Sequence, residues 1–354
     1  MNGIINILKF LFSIDIVLMH MGANFGTEIK LFSGAFIFVE WFYVFSGYTL
    51  SKSVLESEKA TNVAQTSFNL IWKRIIRIYP YYFLSCIVAL IFRMQIGQIV
   101  INDSWDVYKI LHDFLFLQMT GISVTCLTGT GWYLSSLWIA MIIIVPLLVK
   151  YRRYFSKLSI FIAIIIYIYI YRETGYMYKP DEWMLIGYKG NFRAIAALCI
   201  GISMYDYSSL IKCNLFSDAI KTKISILMNV ISIIIYGFIL YHINKVWVYS
   251  DITEISYFII PFIFAILIAM QMRNNILADN KITKFLGTLS ITIYMNHYYI
   301  LEAIQFKYKD AWTLDEKVKY SLILSLGISV GIFLVVQLFN YVKKVMIRNS
   351  SQNR

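Results

Sequence analysis

The chain has 354 residues, of which 59% are hydrophobic and 15% charged, and its mean hydropathy is +0.66. Soluble domains carry about a quarter charged residues, so composition excludes an ordinary soluble domain. The formal net charge of +12 invites nucleic-acid binding, but its distribution along the chain argues against that.

A membrane-spanning helix needs roughly 20 mostly apolar residues. Ten segments meet this in chain order: 4–22, 33–50, 76–92, 131–149, 155–171, 191–207, 223–243, 253–271, 285–303 and 320–342. The stretch 111–122 is too short to cross and is expected to be interfacial or re-entrant. Helix is the expected form because lipid offers no partner to unpaired backbone groups. Runs such as SIFIAIIIYIYIY do not alternate as barrel strands would. No linker and no repeat with a period of about 20–50 residues interrupts the apolar runs. The expected fold is an all-α polytopic bundle of about ten transmembrane helices. One integral membrane domain covers 1–345, and 346–354 form a short cytoplasmic tail. The first span lacks a basic leader and a small-residue cleavage site, so it is expected to be retained.

With the N-terminus placed in the cytoplasm, the inner loops and tail hold 19 Lys/Arg and 5 Asp/Glu, and the outer loops hold equal numbers of the two. This is the positive-inside pattern, and it puts both termini in the cytoplasm. The basicity therefore reads as topology, with anionic lipid as a secondary partner and no nucleic acid. Cys86, Cys126, Cys199 and Cys213 fall on different elements and form no CxxC, so neither a disulfide framework nor a zinc site is expected. No HExxH, GxxxxGK[ST], GxSxG or GxGxxG occurs, and no metal is expected.

Polar residues inside spanning helices are costly and by default mark function. In the first span Lys9 and His20 are eleven residues apart, which is about 20° off one helix face and a rise of about 16 Å. Lys9 suits an anion, and His20 suits proton or acyl transfer because its pKa lies near working pH. Glu40, in FVEWFYVFSGYTL, is expected at a depth similar to His20, where it would orient the imidazole. Ser46-Gly47 permits close helix packing. Lys73, Arg74 and Arg77 precede the third span, with Arg74 and Arg77 on one face. Arginine forks match phosphate oxygens in pairs. In the ninth span Ser290, Tyr294 and His297 share a face. His112 and His242 are expected to be structural.

Taken in order, these pieces resemble the membrane acyltransferase-3 family, which O-acylates surface glycans. The resemblance rests on Lys9-x10-His20, on Glu40-Trp-Phe-Tyr-Val-Phe-Ser46-Gly47-Tyr48, and on Arg74, Arg77 and Pro80. It continues through Trp132-Tyr133-Leu134-Ser135, through Arg193 and Gly201, and through Gly287, Ser290, Tyr294 and His297. Two departures stand out. Lys9 replaces an arginine, which keeps the charge but loses the bidentate fork, and Leu137-Trp138 stand where an acid often follows. No extra-cytoplasmic hydrolase-like domain is expected beside the membrane domain.

The resemblance implies a multi-pass enzyme of the bacterial inner membrane that moves an acyl group, expected to be acetyl, from acetyl-CoA to a glycan or lipid-linked sugar. It implies His20, Glu40 and His297 as catalytic, and Lys9, Lys73, Arg74 and Arg77 as the donor site. Ser46, Trp132, Ser135, Arg193 and Tyr294 become substrate-binding candidates. A transporter or flippase for lipid-linked sugars would instead show inverted repeats, and a glycan polymerase a large outer loop with paired arginines. Oligomeric state has no signal.

Overall fold

The computed structural model describes residues 2–26, 32–58, 60–122, 126–210, 218–245, 255–273, 277–309 and 311–352. Among these residues ten α-helices follow in order: α1 (Gly3–Phe25), α2 (Phe38–Leu55), α3 (Val63–Gln95), α4 (Ser104–Phe114), α5 (Trp132–Thr174), α6 (Lys189–Leu210), α7 (Asp218–Lys245), α8 (Ser256–Arg273), α9 (Lys281–Lys307) and α10 (Leu314–Gln352). No β-strand occurs among the described residues, which hold only isolated bridges at Asn2–Ala278 and Trp183–Tyr188.

The ten expected spans fall on these helices, two of them on α5. That helix breaks at Arg152, whose φ of 41° and ψ of −115° are non-helical. The break has a local use. The Arg152 guanidinium collects the Leu55, Ser57 and Glu58 carbonyls at 3.3, 2.8 and 3.1 Å. These are orphan acceptors at the end of α2, where a cation is favoured. The short segment expected at 111–122 is the helix α4 followed by non-helical backbone. Helix α10 runs to Gln352. Cys213 lies outside the described residues, and Cys86, Cys126 and Cys199 are free thiols.

Among the described residues, six helices are long and apolar enough to cross a membrane by length and composition: Gly3–Phe25, Val63–Gln95, Trp132–Thr174, Lys223–Asn244, Ser256–Arg273 and Leu314–Met346. The chain is a multi-pass membrane protein. Helices α2, α6 and α9 fall short of that measure for a shared reason. They sit inside the bundle and carry buried polar residues, among them Glu40, Arg193, Asn296 and His297. The periphery is the reverse. Ile233, Ile234 and Phe238 of α7, and Leu334, Leu338 and Phe339 of α10, are all at least 59% exposed. Such a stripe is paid for only where lipid covers it.

Two glycines decide how the interior is assembled. A Cβ on Gly47 would stand 2.1 Å from the Leu198 carbonyl, and one on Gly201 would stand 2.0 Å from the Val44 carbonyl. Backbone meets backbone reciprocally between α2 and α6. The cross-pairs Glu40–Arg193 and Tyr48–Tyr205 advance together along both helices, so the two run parallel. Helix α6 also packs along α5, and α1 packs along α9.

Gly47→Val and Gly201→Val should each lower the detergent melting temperature, at an overpacking cost of about 1–3 kcal/mol or more. Gly237→Val, at a glycine with open space around it, should leave melting unchanged. Equal melting of all three variants would refute the close-approach account.

Candidate functional site

Helices α1 and α9 are brought together at Gly287, where a Cβ would stand 2.4 Å from Asn6 Oδ1. Further along the same pair, the His20 and His297 rings lie 5.2 Å apart, tilted by 38°. His20 is half-buried and His297 fully buried. His297 Nδ1 lies 3.1 Å from the Ile293 carbonyl. A carbonyl can only accept, so Nδ1 carries the hydrogen and Nε2 keeps its lone pair. That Nε2 is buried and has no hydrogen-bond partner among the described residues. The edge of Tyr298 meets His20 at 5.0 Å. Under the Tyr298 ring sits Gly129, at φ +73°, where a Cβ would be 2.0 Å from Cδ1. Only glycine fits there.

The segment carrying Gly129 is fastened by groups that sequence patterns do not mark. Leu127 N–H donates to Asp113 Oδ2 at 2.6 Å. Arg93 donates to the Leu127 carbonyl at 2.6 Å and pairs with Glu302 at 2.5 Å. The Tyr82 hydroxyl donates to the Asp113 carbonyl at 2.6 Å. Ser135 accepts from Met119 N–H at 3.0 Å and is buried. It anchors the segment after α4 onto α5.

The basic residues gather toward the other end of α1. Lys9 Nζ stands 4.2 Å from the Phe45 ring centroid and within electrostatic reach of Asp279 and Arg77. Arg74 Nη1 reaches to 3.5 Å from the Ser46 carbonyl. The Ser46 side chain lies beside the Tyr133 hydroxyl. Tyr133 meets Tyr294 edge-on at 5.4 Å, and Tyr294 meets His297 at 6.0 Å. A continuous line therefore runs from Arg74 through Ser46, Tyr133 and Tyr294 to the histidine pair. Lys73 stands apart, exposed beside Arg152 in a shallow hollow of about 220 Å³.

Glu40 corrects one expectation. Its carboxylate is engaged by groups other than His20. Oε1 accepts from Arg193 Nε at 2.6 Å, and Oε2 from the Tyr167 hydroxyl at 3.1 Å. The physical reason is the close approach of α2 to α6, which offers Glu40 a guanidinium. The guanidinium of Arg193 lies 5.8 Å from the Trp132 ring centroid and 5.9 Å from that of Phe36. Its Nη2 is buried and unpartnered among the described residues. The orienting place beside His20 is held by His297 and Tyr298. Tyr298 adjoins His297 in sequence, and Tyr133 lies inside the Trp-Tyr-Leu-Ser run, so both were within reach of a sequence argument. Asp279 and Tyr167 carry no local signal. No group of three or more metal-ligating His, Cys, Asp or Glu side chains comes together among the described residues.

Removing one member of a buried ion pair strands the other charge, at about 3–5 kcal/mol. Glu40→Gln should therefore melt well below wild type, and Glu40→Gln with Arg193→Met should recover part of the loss. A double variant no better than the single would show that the pair is not coupled.

Asp113 provides a pH test. Burial raises its carboxyl from the ordinary 3.8 to about 7, against the Leu127 hydrogen bond that lowers it. Protonation thus favours the folded state, and this contribution is full below about pH 4 and lost as pH rises through about 7. Relative to Asp113→Asn, wild type should lose melting temperature between these limits. Parallel pH profiles for the two proteins would contradict it.

Comparison with known proteins agrees with this architecture. A family model described as "Acyltransferase domain", the acyltransferase-3 domain, matches residues 2–340. No curated protein and no solved structure matches the chain. With nearly the whole chain covered by that one model, and a multi-pass bundle that gathers paired histidines and a basic end, the protein belongs to the acyltransferase-3 family.

Proposed function

We propose that the chain is an O-acyltransferase of the bacterial cytoplasmic membrane, with ten spans and both termini in the cytoplasm. It moves an acetyl group from acetyl-CoA to a hydroxyl of a surface polysaccharide or lipid-linked sugar. The observation that carries this reading is the meeting of His20 and His297 at 5.2 Å, at the far end of a polar and aromatic line that starts from Arg74.

Arg74, Arg77 and Lys9 hold the donor's phosphates at the cytoplasmic end, where arginine forks match phosphate oxygens. Lys73, which faces the hollow beside Arg152, adds positive charge on the same cytoplasmic side without joining that cluster. The thioester arm lies along Ser46, Tyr133 and Tyr294 toward the histidines. His20 takes the proton from the sugar hydroxyl as general base. The sugar oxygen forms a bond to the thioester carbonyl carbon, the carbon–sulfur bond breaks, and the proton passes from His20 to the CoA sulfur. His297, held in one tautomer by Ile293, offers its free Nε2 lone pair to the His20 imidazole and steadies the charge that forms there. This is the supporting role in nucleophile–base systems. Glu40 acts on Arg193 rather than on the base.

Membranes containing the protein should pass label from acetyl-CoA to glycan. His20→Ala should lower that rate by about 100-fold or more, the usual range for a general base. His297→Gln should lower it less and shift its pH profile. Arg74→Ala should raise the donor KM about tenfold, equal to about 1.4 kcal/mol, with the acceptor KM unchanged. Full activity in His20→Ala would remove that residue from the chemistry.

A further inference from the structure

The aromatic content of the chain does not by itself say which rings could stack on a sugar. The geometry around α6 selects some of them. Lys189 and Arg193 are one helical turn apart at the start of α6, both essentially buried. Two cations at a helix N-terminus oppose the macrodipole, so each needs a counter-charge. Arg193 has Glu40 at 2.6 Å. Lys189 has Glu182, which also accepts from the Tyr176 hydroxyl at 3.2 Å. Both pairs are therefore neutral as units, and they are electrostatically coupled to each other.

Aromatic faces connect them. Lys189 Nζ stands 3.9 Å from the Tyr176 ring centroid, Tyr176 stacks on Tyr178 at 4.2 Å, and Tyr178 meets Phe36 at 6.3 Å. Phe36 and Trp132 then flank Arg193. Phe36, Trp132, Tyr176 and Tyr178 are all half-buried. Between the last two rings of this chain, Arg193 keeps a buried donor, Nη2, that nothing among the described residues accepts. An unpaired buried donor costs roughly 1–3 kcal/mol, which a ligand oxygen would relieve.

We propose that this vestibule is the acceptor subsite and that its ligand is a neutral pyranose, a hexose or N-acetylhexosamine. The inference rests on the acyltransferase reading and adds the place and charge class of the acceptor. Aromatic rings cover the apolar faces of a sugar, Arg193 Nη2 takes a ring or hydroxyl oxygen, and the Glu182 carboxylate takes a hydroxyl proton. An anionic sugar is disfavoured because its carboxylate would meet Glu40 and Glu182 beside cations already paired.

The test uses membranes from cells expressing the full chain, with their own glycan as acceptor and labelled acetyl-CoA as donor. Transfer to glycan should fall more than tenfold in Tyr176→Ala and in Glu182→Gln, while binding of labelled acetyl-CoA to the detergent-solubilised variants stays within twofold of wild type. Leu185→Ser, on the same loop but 82% exposed, should transfer as wild type does. Hydrolysis of the labelled glycan should place the acetyl group on a neutral sugar. Undiminished transfer in both vestibule variants, label on a uronic acid, or donor binding by wild type without glycan labelling would overturn this subsite alone. Wild type that neither binds donor nor transfers label would overturn the acyltransferase reading beneath it.

Discussion

The ion pair between Glu40 and Arg193 is the interaction on which the interior depends. Neither charge can stand alone in a hydrocarbon-embedded bundle, because an isolated buried ion costs several kcal/mol even after relaxation. Bringing them to 2.6 Å requires α2 and α6 to touch backbone to backbone, and only glycine at 47 and 201 allows it. Once α6 is seated there, its first turn brings Lys189 to Glu182 and Arg193 to Glu40. Trp132, at the start of α5, is drawn to the guanidinium. The charges and the glycines thus form one device: the polar pair supplies the reason for contact, and the missing side chains supply the room.

A second close approach does the same for α1 and α9. Gly287 admits Asn6, the helices settle together, and His20 meets His297. The histidines occupy the junction between this pair of helices and the segment from α4 to α5. The described residues of that segment are largely non-helical inside the protein, which is tolerable where side chains supply partners to its backbone groups. Asp113, Arg93, Tyr82 and Ser135 do this, and Gly129 then lets the segment pass under Tyr298. A contact with His20 is in this way tied to hydrogen bonds made more than one helix away.

Much of this was legible in the residues. The ten apolar runs, the charge asymmetry and the helical spacing of Lys9 and His20 follow from period and composition, which are local properties. The break at Arg152 falls inside the basic loop expected between two spans, so its place could be read, although its capping role could not. The partner of Glu40 was not legible. A carboxylate in a span announces that it needs a partner, but which of two neighbouring helices provides it depends on packing between residues 153 positions apart. Glu40 and His20 share an expected depth, and depth alone favoured the wrong partner. The Ser135 hydroxyl shows the same limit: its run is recognisable in sequence, but the Met119 amide it accepts from is sixteen residues away and is placed beside it only by the fold.

The two ends of the site differ in how charge is balanced, and the difference bears on which substrate each can take. At one end Arg74 and Arg77 form no ion pair among the described residues, and Lys9 shares only the reach of Asp279. Cations left without carboxylates attract an anion, and a phosphorylated donor supplies several charges at once. At the other end each cation already has its carboxylate, so what remains is donors, acceptors and ring faces with little net field. Such a surface selects by shape and hydrogen bonding rather than by charge. A lysine at position 9 is compatible with this division. On the proposed reading its point charge would suffice to draw a phosphate, with the planar forks that fix geometry supplied by Arg74 and Arg77 of α3. Under that same proposal, a highly charged donor and an uncharged acceptor would be sorted by where uncompensated and compensated cations fall along the helices, and the helix register itself makes that separation.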